Sequence, residues 1–185
     1  MILAVLVAGG VWGVLRQVPE RDAAAAGAAS GNPDEVKSVA IDGHGLPMSV
    51  LRAAVGTRVG AQVDAAQLDR DRAALVAALT SRGYLDARVA TPRVSRDGRG
   101  AYVTFAVDQG KLFHVRSVAV RGASARDAGV VTLASGDAAI ADRIELAREA
   151  LADRLAARGK KLHVALEVVT DSANAAIDVA LVATK

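Results

Sequence analysis

VKSVAIDG at residues 36–43 and VRSVAVRG at residues 115–122 are nearly the same eight-residue phrase, written twice in a chain of 185 residues. Val36, Val39, Ile41 and Gly43 correspond to Val115, Val118, Val120 and Gly122 at one constant offset. Further on, Gly60, Leu68, Leu75, Leu79 and Gly83 correspond to Gly136, Ile144, Leu151, Leu155 and Gly159, at an offset shortened by three residues. Matched apolar and glycine positions over two long blocks imply a duplicated unit, with three residues lost in the first helical region of the second copy. Each block is about the size of a minimal independent fold, which divides the chain into 36–110 and 111–185.

Both copies read alike. Val39 and Ile41 alternate with Ala40 and Asp42 before Gly43, the pattern of a short strand leaving through a turn, and Val118 and Val120 repeat it. Pro47 to Val55 predicts a short helix. Asp64 offers an N-cap to a longer helix in which Leu68, Leu75, Val76 and Leu79 share a face, Asp69, Arg70 and Arg72 meet water, and Gly83 is the stop. After Gly83 the period becomes two: Leu85, Ala87 and Val89 form one strand, SRDGRG at 95–100 the turn, and Val103, Phe105 and Val107 its hairpin partner. In the second copy a helix carrying Ile140, Ile144, Ala147, Leu151 and Leu155 stops at Gly159. Leu162, Val164, Leu166 and Val168 form the next strand, residues 171–174 the turn, and Ile177, Val179 and Leu181 the last strand. The order is β-α-α-β-β, twice, an α+β fold.

Composition limits the chemistry. Apolar residues make up 52% and aromatics only 3%, so the cores are built from Val, Leu, Ile and Ala. The net charge of +3 arises from 23 basic residues interleaved with 20 acidic ones, a solvated surface and not a nucleic-acid footprint. With no cysteine, disulfides, thiolate metal sites and a cysteine nucleophile are excluded.

Ile2 to Leu15 is an unbroken apolar run closed by Arg16. At ~1.5 Å per helical residue it reaches ~21 Å, short of the ~30 Å hydrocarbon core, so residues 1–16 read as a signal segment or short membrane anchor. A signal segment normally has Lys or Arg before it, and only Met1 stands there, which suggests a start further upstream or a trimmed N-terminus. Residues 17–35, rich in Ala, Gly and Pro, read as a flexible tether.

VxSVAxxG, the glycine before the second helix (Gly60, Gly136), the helix ending in Arg82-Gly83-Tyr84 or Arg158-Gly159-Lys160, and VDQG at 107–110 together resemble POTRA domains, the polypeptide-transport-associated modules. The resemblance covers roughly residues 36–183 and is closest in the first copy. The second copy departs from it at Lys160-Lys161, where the usual aromatic after glycine is missing, and lacks a closing glycine. The resemblance implies two domains, each a three-stranded mixed sheet covered on one face by two helices, with the first hairpin strand at an edge.

An edge strand carries unpaired N–H and C=O groups to which an extended peptide can add by main-chain hydrogen bonds. The candidate edge in the first copy is Tyr84, Leu85, Asp86, Ala87, Arg88 and Val89, running to Thr91 and stopped at Pro92. In the second it is Leu162, His163, Val164, Ala165 and Leu166, running to Val169. Asp86 and Arg88, and Lys160 and Lys161 beside the other edge, equally suit strands blunted against pairing, so a protected surface is the competing reading.

Catalytic readings find little support. His44, His114 and His163 lack the spacing of a metal helix. GHG at 43–45 lacks the further glycine or lysine of a phosphate cradle and reads as a turn. Asp69, Asp71, Glu145 and Glu149 lie among arginines on helix surfaces, where solvation and pairs such as Glu145 with Arg148 account for them. No enzyme, cofactor or metal is expected.

The resemblance therefore implies a periplasmic polypeptide-binding adaptor in outer-membrane protein assembly or translocation. Its partners would be unfolded outer-membrane proteins or envelope assembly subunits, and the N-terminal segment would associate with a membrane. An 8-stranded barrel needs ~9–11 residues per strand and does not fit beside the second copy, so a stand-alone adaptor or a fragment of a longer gene is expected. The alternative is a membrane-anchored cell-division scaffold similar to FtsQ-type proteins.

Overall fold

The computed structural model describes residues 31–43 and 48–185. The apolar run, most of the tether, Pro47, His44 and the GHG turn beyond Gly43 lie outside the described residues. The elements are β1 (Val36–Asp42), α1 (Met48–Ala54), α2 (Ala65–Thr80), β2 (Arg88–Val89), β3 (Arg93–Asp97) and β4 (Gly100–Asp108), then β5 (His114–Arg121), α3 (Ala125–Ala128), α4 (Ala141–Ala157), β6 (His163–Asp171) and β7 (Ala176–Thr184). They form two mixed sheets of the same topology. In the first, β1 lies parallel to β4, and β2 and β3 pair with β4 antiparallel; in the second, β7 is flanked by parallel β5 and antiparallel β6.

The repeat extends to individual hydrogen bonds. Val36 N–H donates to Ala61 O and Gly60 N–H to Val36 O, as Val115 N–H donates to Asp137 O and Gly136 N–H to Val115 O. Even the irregularity at Val36/Ser38 recurs at Val115/Ser117. The copies differ where the three residues are missing: α3 is a single turn of four residues against seven in α1.

In the first unit, Leu68, Leu75 and Leu79 of α2 and Leu51 of α1 bury against Val36, Val103 and Phe105 of the sheet. Each such side chain contributes ~1.5–3 kcal/mol on leaving water. Asp64 accepts a hydrogen bond from Ala66 N–H at 2.9 Å and starts α2 as an N-cap. Gly83, at φ +93°, ends that turn in the left-handed region. The first hairpin strand is not continuous. It divides at Pro92, which offers no amide hydrogen, into two-residue β2 and five-residue β3, so the first sheet counts four strands where three are expected. The hairpin turn narrows to Gly98 and Arg99.

The second core gathers Phe113, Val115, Ile144, Ala147, Leu151, Leu155, Val164, Ile177, Val179 and Leu181. Its helix α4 starts differently from α2. Ile140 stands at the N-cap and has no side-chain oxygen to offer; instead Ala141 N–H donates to Ser81 O of the first unit at 3.0 Å. Phe113 N–H donates to Gly83 O at 2.8 Å. The corner that ends α2 thus satisfies two amides of the second unit that would otherwise be orphaned.

Candidate functional site

The first candidate edge is placed differently from its reading. Tyr84, Leu85, Asp86 and Ala87 lie outside every strand: Ala87 N–H closes a turn on Tyr84 O at 3.1 Å, and only Arg88 and Val89 pair with β4, opposite Asp108 and Val107. Tyr84 and Ala87 pack on the first core, Leu85 packs on the second, and Asp86 accepts a hydrogen bond from Ser172 Oγ at 3.0 Å. The alternation Leu85, Ala87, Val89 has the period of a strand, yet Leu85 packs on the second core while Ala87 and Val89 pack on the first. Pairing is brief before Pro92 and resumes after it at Arg93. On the hairpin side, opposite β1, the free edge of the first sheet is chiefly β3, and it exposes Arg93, Ser95, Arg96 and Asp97, side chains that discourage an added strand.

The second edge is a true one. All nine residues of β6, from His163 to Asp171, pair with β7 on one side, and among the described residues no strand pairs on the other. Leu162 precedes the strand and packs on the core, His163 is exposed, Val164 is buried and Ala165 is half-buried. The expected stretch continues through Leu166 to Val169, and the apolar surface that its side chains expose is the feature the sequence reading did not single out. Leu166, Val168 and Val169 expose 36%, 43% and 64% of their area. That is a largely apolar stretch on a nine-residue edge, interrupted by Glu167, which pairs with Arg121 at 3.4 Å, and it is less blunted than β3. Its signal was present in LEVV at 166–169, where apolar residues occupy both phases of the alternation although one face alone has a core to meet.

Beside this edge runs an apolar groove of about 350 Å³, bounded by Val168 and Ile177 of the second sheet, Ile144 and Ala141 at the start of α4, and Leu85 of the first unit. Leu85 therefore helps to wall a cleft next to β6 instead of lying on an edge of its own.

Two carboxylates expected on, or absent from, the surface inventory prove to be buried staples. Asp71 is 1% exposed and not a solvated helix carboxylate. It accepts from Gly56 N–H at 2.7 Å, Thr57 N–H at 2.9 Å, Thr57 Oγ and Gln67 Nε2, fixing the chain between α1 and α2. Burial pushes its pKa up, but the bonds from Thr57, Gly56 and Gln67 outweigh that and hold the carboxyl below its ordinary value. Asp127, fully buried in the second unit, accepts from Lys160 Nζ at 2.8 Å and Ser124 Oγ at 2.7 Å, and Arg158 lies at 2.8 Å. The hydrogen bonds from Lys160 and Ser124, with the Arg158 charge, hold its pKa down to about 2. Glu145 pairs with Arg148 as its spacing predicts. His114 and His163 are exposed, and among the described residues no group of His, Asp and Glu could hold a metal ion.

The fold agrees with what is known elsewhere. Residues 35–110 match the family model described as POTRA: Surface antigen variable number repeat. The POTRA3-5 region of BamA from Haemophilus influenzae is similar to 80% of this chain at 20% identity, with a TM-score of 0.53. BamA from Haemophilus ducreyi lacking POTRA domains 1-3 is similar to 83% of it at 18% identity, with a TM-score of 0.54. This chain spans 65% of the first of those chains and 29% of the second. No curated protein matches it. The first unit thus carries the POTRA signature, and the two units together share the fold of POTRA domains in BamA.

Proposed function

We propose that this chain is a periplasmic polypeptide-binding adaptor in outer-membrane protein assembly or translocation, and that it receives an extended client as an added strand on β6. The observation that carries the reading is the edge itself: nine residues paired on one side only, with Leu166, Val168 and Val169 exposed. Main-chain hydrogen bonds supply affinity for many sequences, and the groove beside Val168 accepts an apolar side chain from alternate positions of the client. A client of this kind is an amphipathic barrel strand, apolar at every second residue. The similarity of the first unit to the POTRA model and of the fold to BamA supports the same compartment and client class. Fluorescence anisotropy with a labelled ten-residue barrel-strand peptide tests it. Wild type is expected to bind, and Leu166→Lys with Val168→Lys to bind at least tenfold more weakly at unchanged circular dichroism. Equal binding by both proteins would end the β6 reading.

A further inference from the structure

The corner that closes the long helix is built identically in both copies. Tyr84 N–H and Lys160 N–H return to Leu79 O and Leu155 O, Arg82 N–H and Arg158 N–H return to the same two carbonyls, and Gly83 and Gly159 both take positive φ, +93° and +70°. What faces each corner differs. At the first, the second unit presses so close that a Cβ on Gly83 would stand 3.1 Å from Leu112 Cδ1 and 3.2 Å from Ala139 O. At the second, nothing lies within 4 Å of the corresponding position on Gly159. Gly83 O and Ser81 O accept amides of the second unit; among the described residues no donor reaches their counterparts, Gly159 O and Ala157 O.

The corner residues have changed with the neighbour. Counting from the shared glycine, Leu85, which packs into the second core, is replaced by Lys161. Lys160 is engaged by Asp127, whereas Lys161 is exposed and has no ion-pair partner among the described residues. A groove of about 480 Å³ opens here between Gly159, Leu162 and the side chains of Lys161 and Lys185. Whatever sits on this corner as the second unit sits on the first must present amide donors, and a carboxylate where the second unit presents apolar surface.

The front of the first unit offers a carboxylate and one amide that is free among the described residues, Ala65 N–H; the other matching amide, Asp34 N–H, donates to Asn32 Oδ1 at 3.0 Å and would have to exchange that bond on docking. The second unit docks through Phe113, Ala139 and the start of α4 at Ala141; the matching positions in the first unit are Asp34, Val63 and the start of α2 at Ala65, as their shared hydrogen bonds show. Asp64 lies between Val63 and Ala65, its side chain 57% exposed and only 3.5 Å from an exposed Arg70, a weak surface pair that exchanges readily. Ala65 N–H, the counterpart of Ala141 N–H, has no backbone acceptor among the described residues.

We infer that the corner Arg158–Leu162 is a docking surface for the front of a second copy of this chain, with Lys161 of one copy set against Asp64 of the other. The contact is heterologous, so one copy keeps a free corner and the other a free front, and association extends head to tail. It rests on charge between exposed groups and weakens with salt.

Sedimentation velocity of the full chain in a non-ionic detergent, across protein concentration at low and high salt, tests it. Wild type is expected to form a concentration-dependent ladder that collapses at high salt. Lys161→Glu, and separately Asp64→Asn, which keeps an N-cap, are each expected to sediment as monomers, with association at least tenfold weaker. Mixed in equal amounts, they retain one intact corner and one intact front between them, and are expected to form a species that stops at two. A monomeric wild type at low salt, association that ignores both substitutions, or a mixture that stays monomeric would each overturn the inference.

Discussion

Phe113 N–H donates to Gly83 O across 2.8 Å, so the residue that ends the long helix of the first unit is bonded to the residue that leads into the first strand of the second. Ala141 N–H repeats the connection on Ser81 O. Helix α4 thereby draws its N-terminal capping from another unit, and the junction is part of the second fold as well as a link to it.

Gly83 and Gly159 consequently separate two effects that are usually mixed. Both have positive φ, which costs a β-carbon ~1 kcal/mol. Only at Gly83 does that carbon also meet Leu112 and Ala139. Gly159→Ala is expected to cost about 1 kcal/mol, and Gly83→Ala distinctly more in urea unfolding. Gly83→Ala is further expected to accelerate amide exchange at Phe113 and Ala141, which Gly159→Ala leaves alone.

Asp71 holds four donors from the α1–α2 connection and from α2 itself. Asp71→Ala leaves the amides of Gly56 and Thr57 without their acceptor and is expected to cost about 2–3 kcal/mol in chemical unfolding. Asp69→Ala, two residues away and exposed, is expected to stay within about 0.5 kcal/mol of wild type.

Asp127 gives the second unit an acid limit. Its folded pKa of about 2 lies below the ordinary value of 3.8, so the folded state favours the carboxylate. The stabilisation is full above pH 4 and is lost as pH falls from about 4 to about 2. Asp127→Asn is expected to lower the melting temperature at pH 7, and the gap from wild type is expected to close across that acid window.

The duplicated architecture was legible because glycines and apolar positions recur in step, and because Leu68, Leu75 and Leu79 have helical spacing with Asp64 before them. The edges were half legible. The strand containing Leu162 to Leu166 was placed correctly except for its first residue, but Tyr84 to Ala87 mimic a strand while serving a junction. Local alternation cannot tell one core from two, since the second core is contributed by residues far along the chain. Asp71 was hidden for a related reason: it shares its helix with Asp69 and Arg70, and only the returning loop at Gly56 and Thr57 makes its position an interior one.

Replacing exposed apolar residues on β6 with charge is expected to separate binding from stability. Val169→Lys changes a side chain that is 64% exposed and is expected to shift the melting temperature by no more than a few degrees. It is expected also to reduce the aggregation that an apolar free edge promotes, read by light scattering during heating.

The most direct test of strand addition is amide hydrogen exchange with and without a saturating barrel-strand peptide. Addition to β6 is expected to slow exchange at alternate amides between His163 and Asp171, those pointing away from β7, while β3 remains as it was. Protection confined to β3, or peptide binding that leaves the β6 amides unchanged, would contradict it.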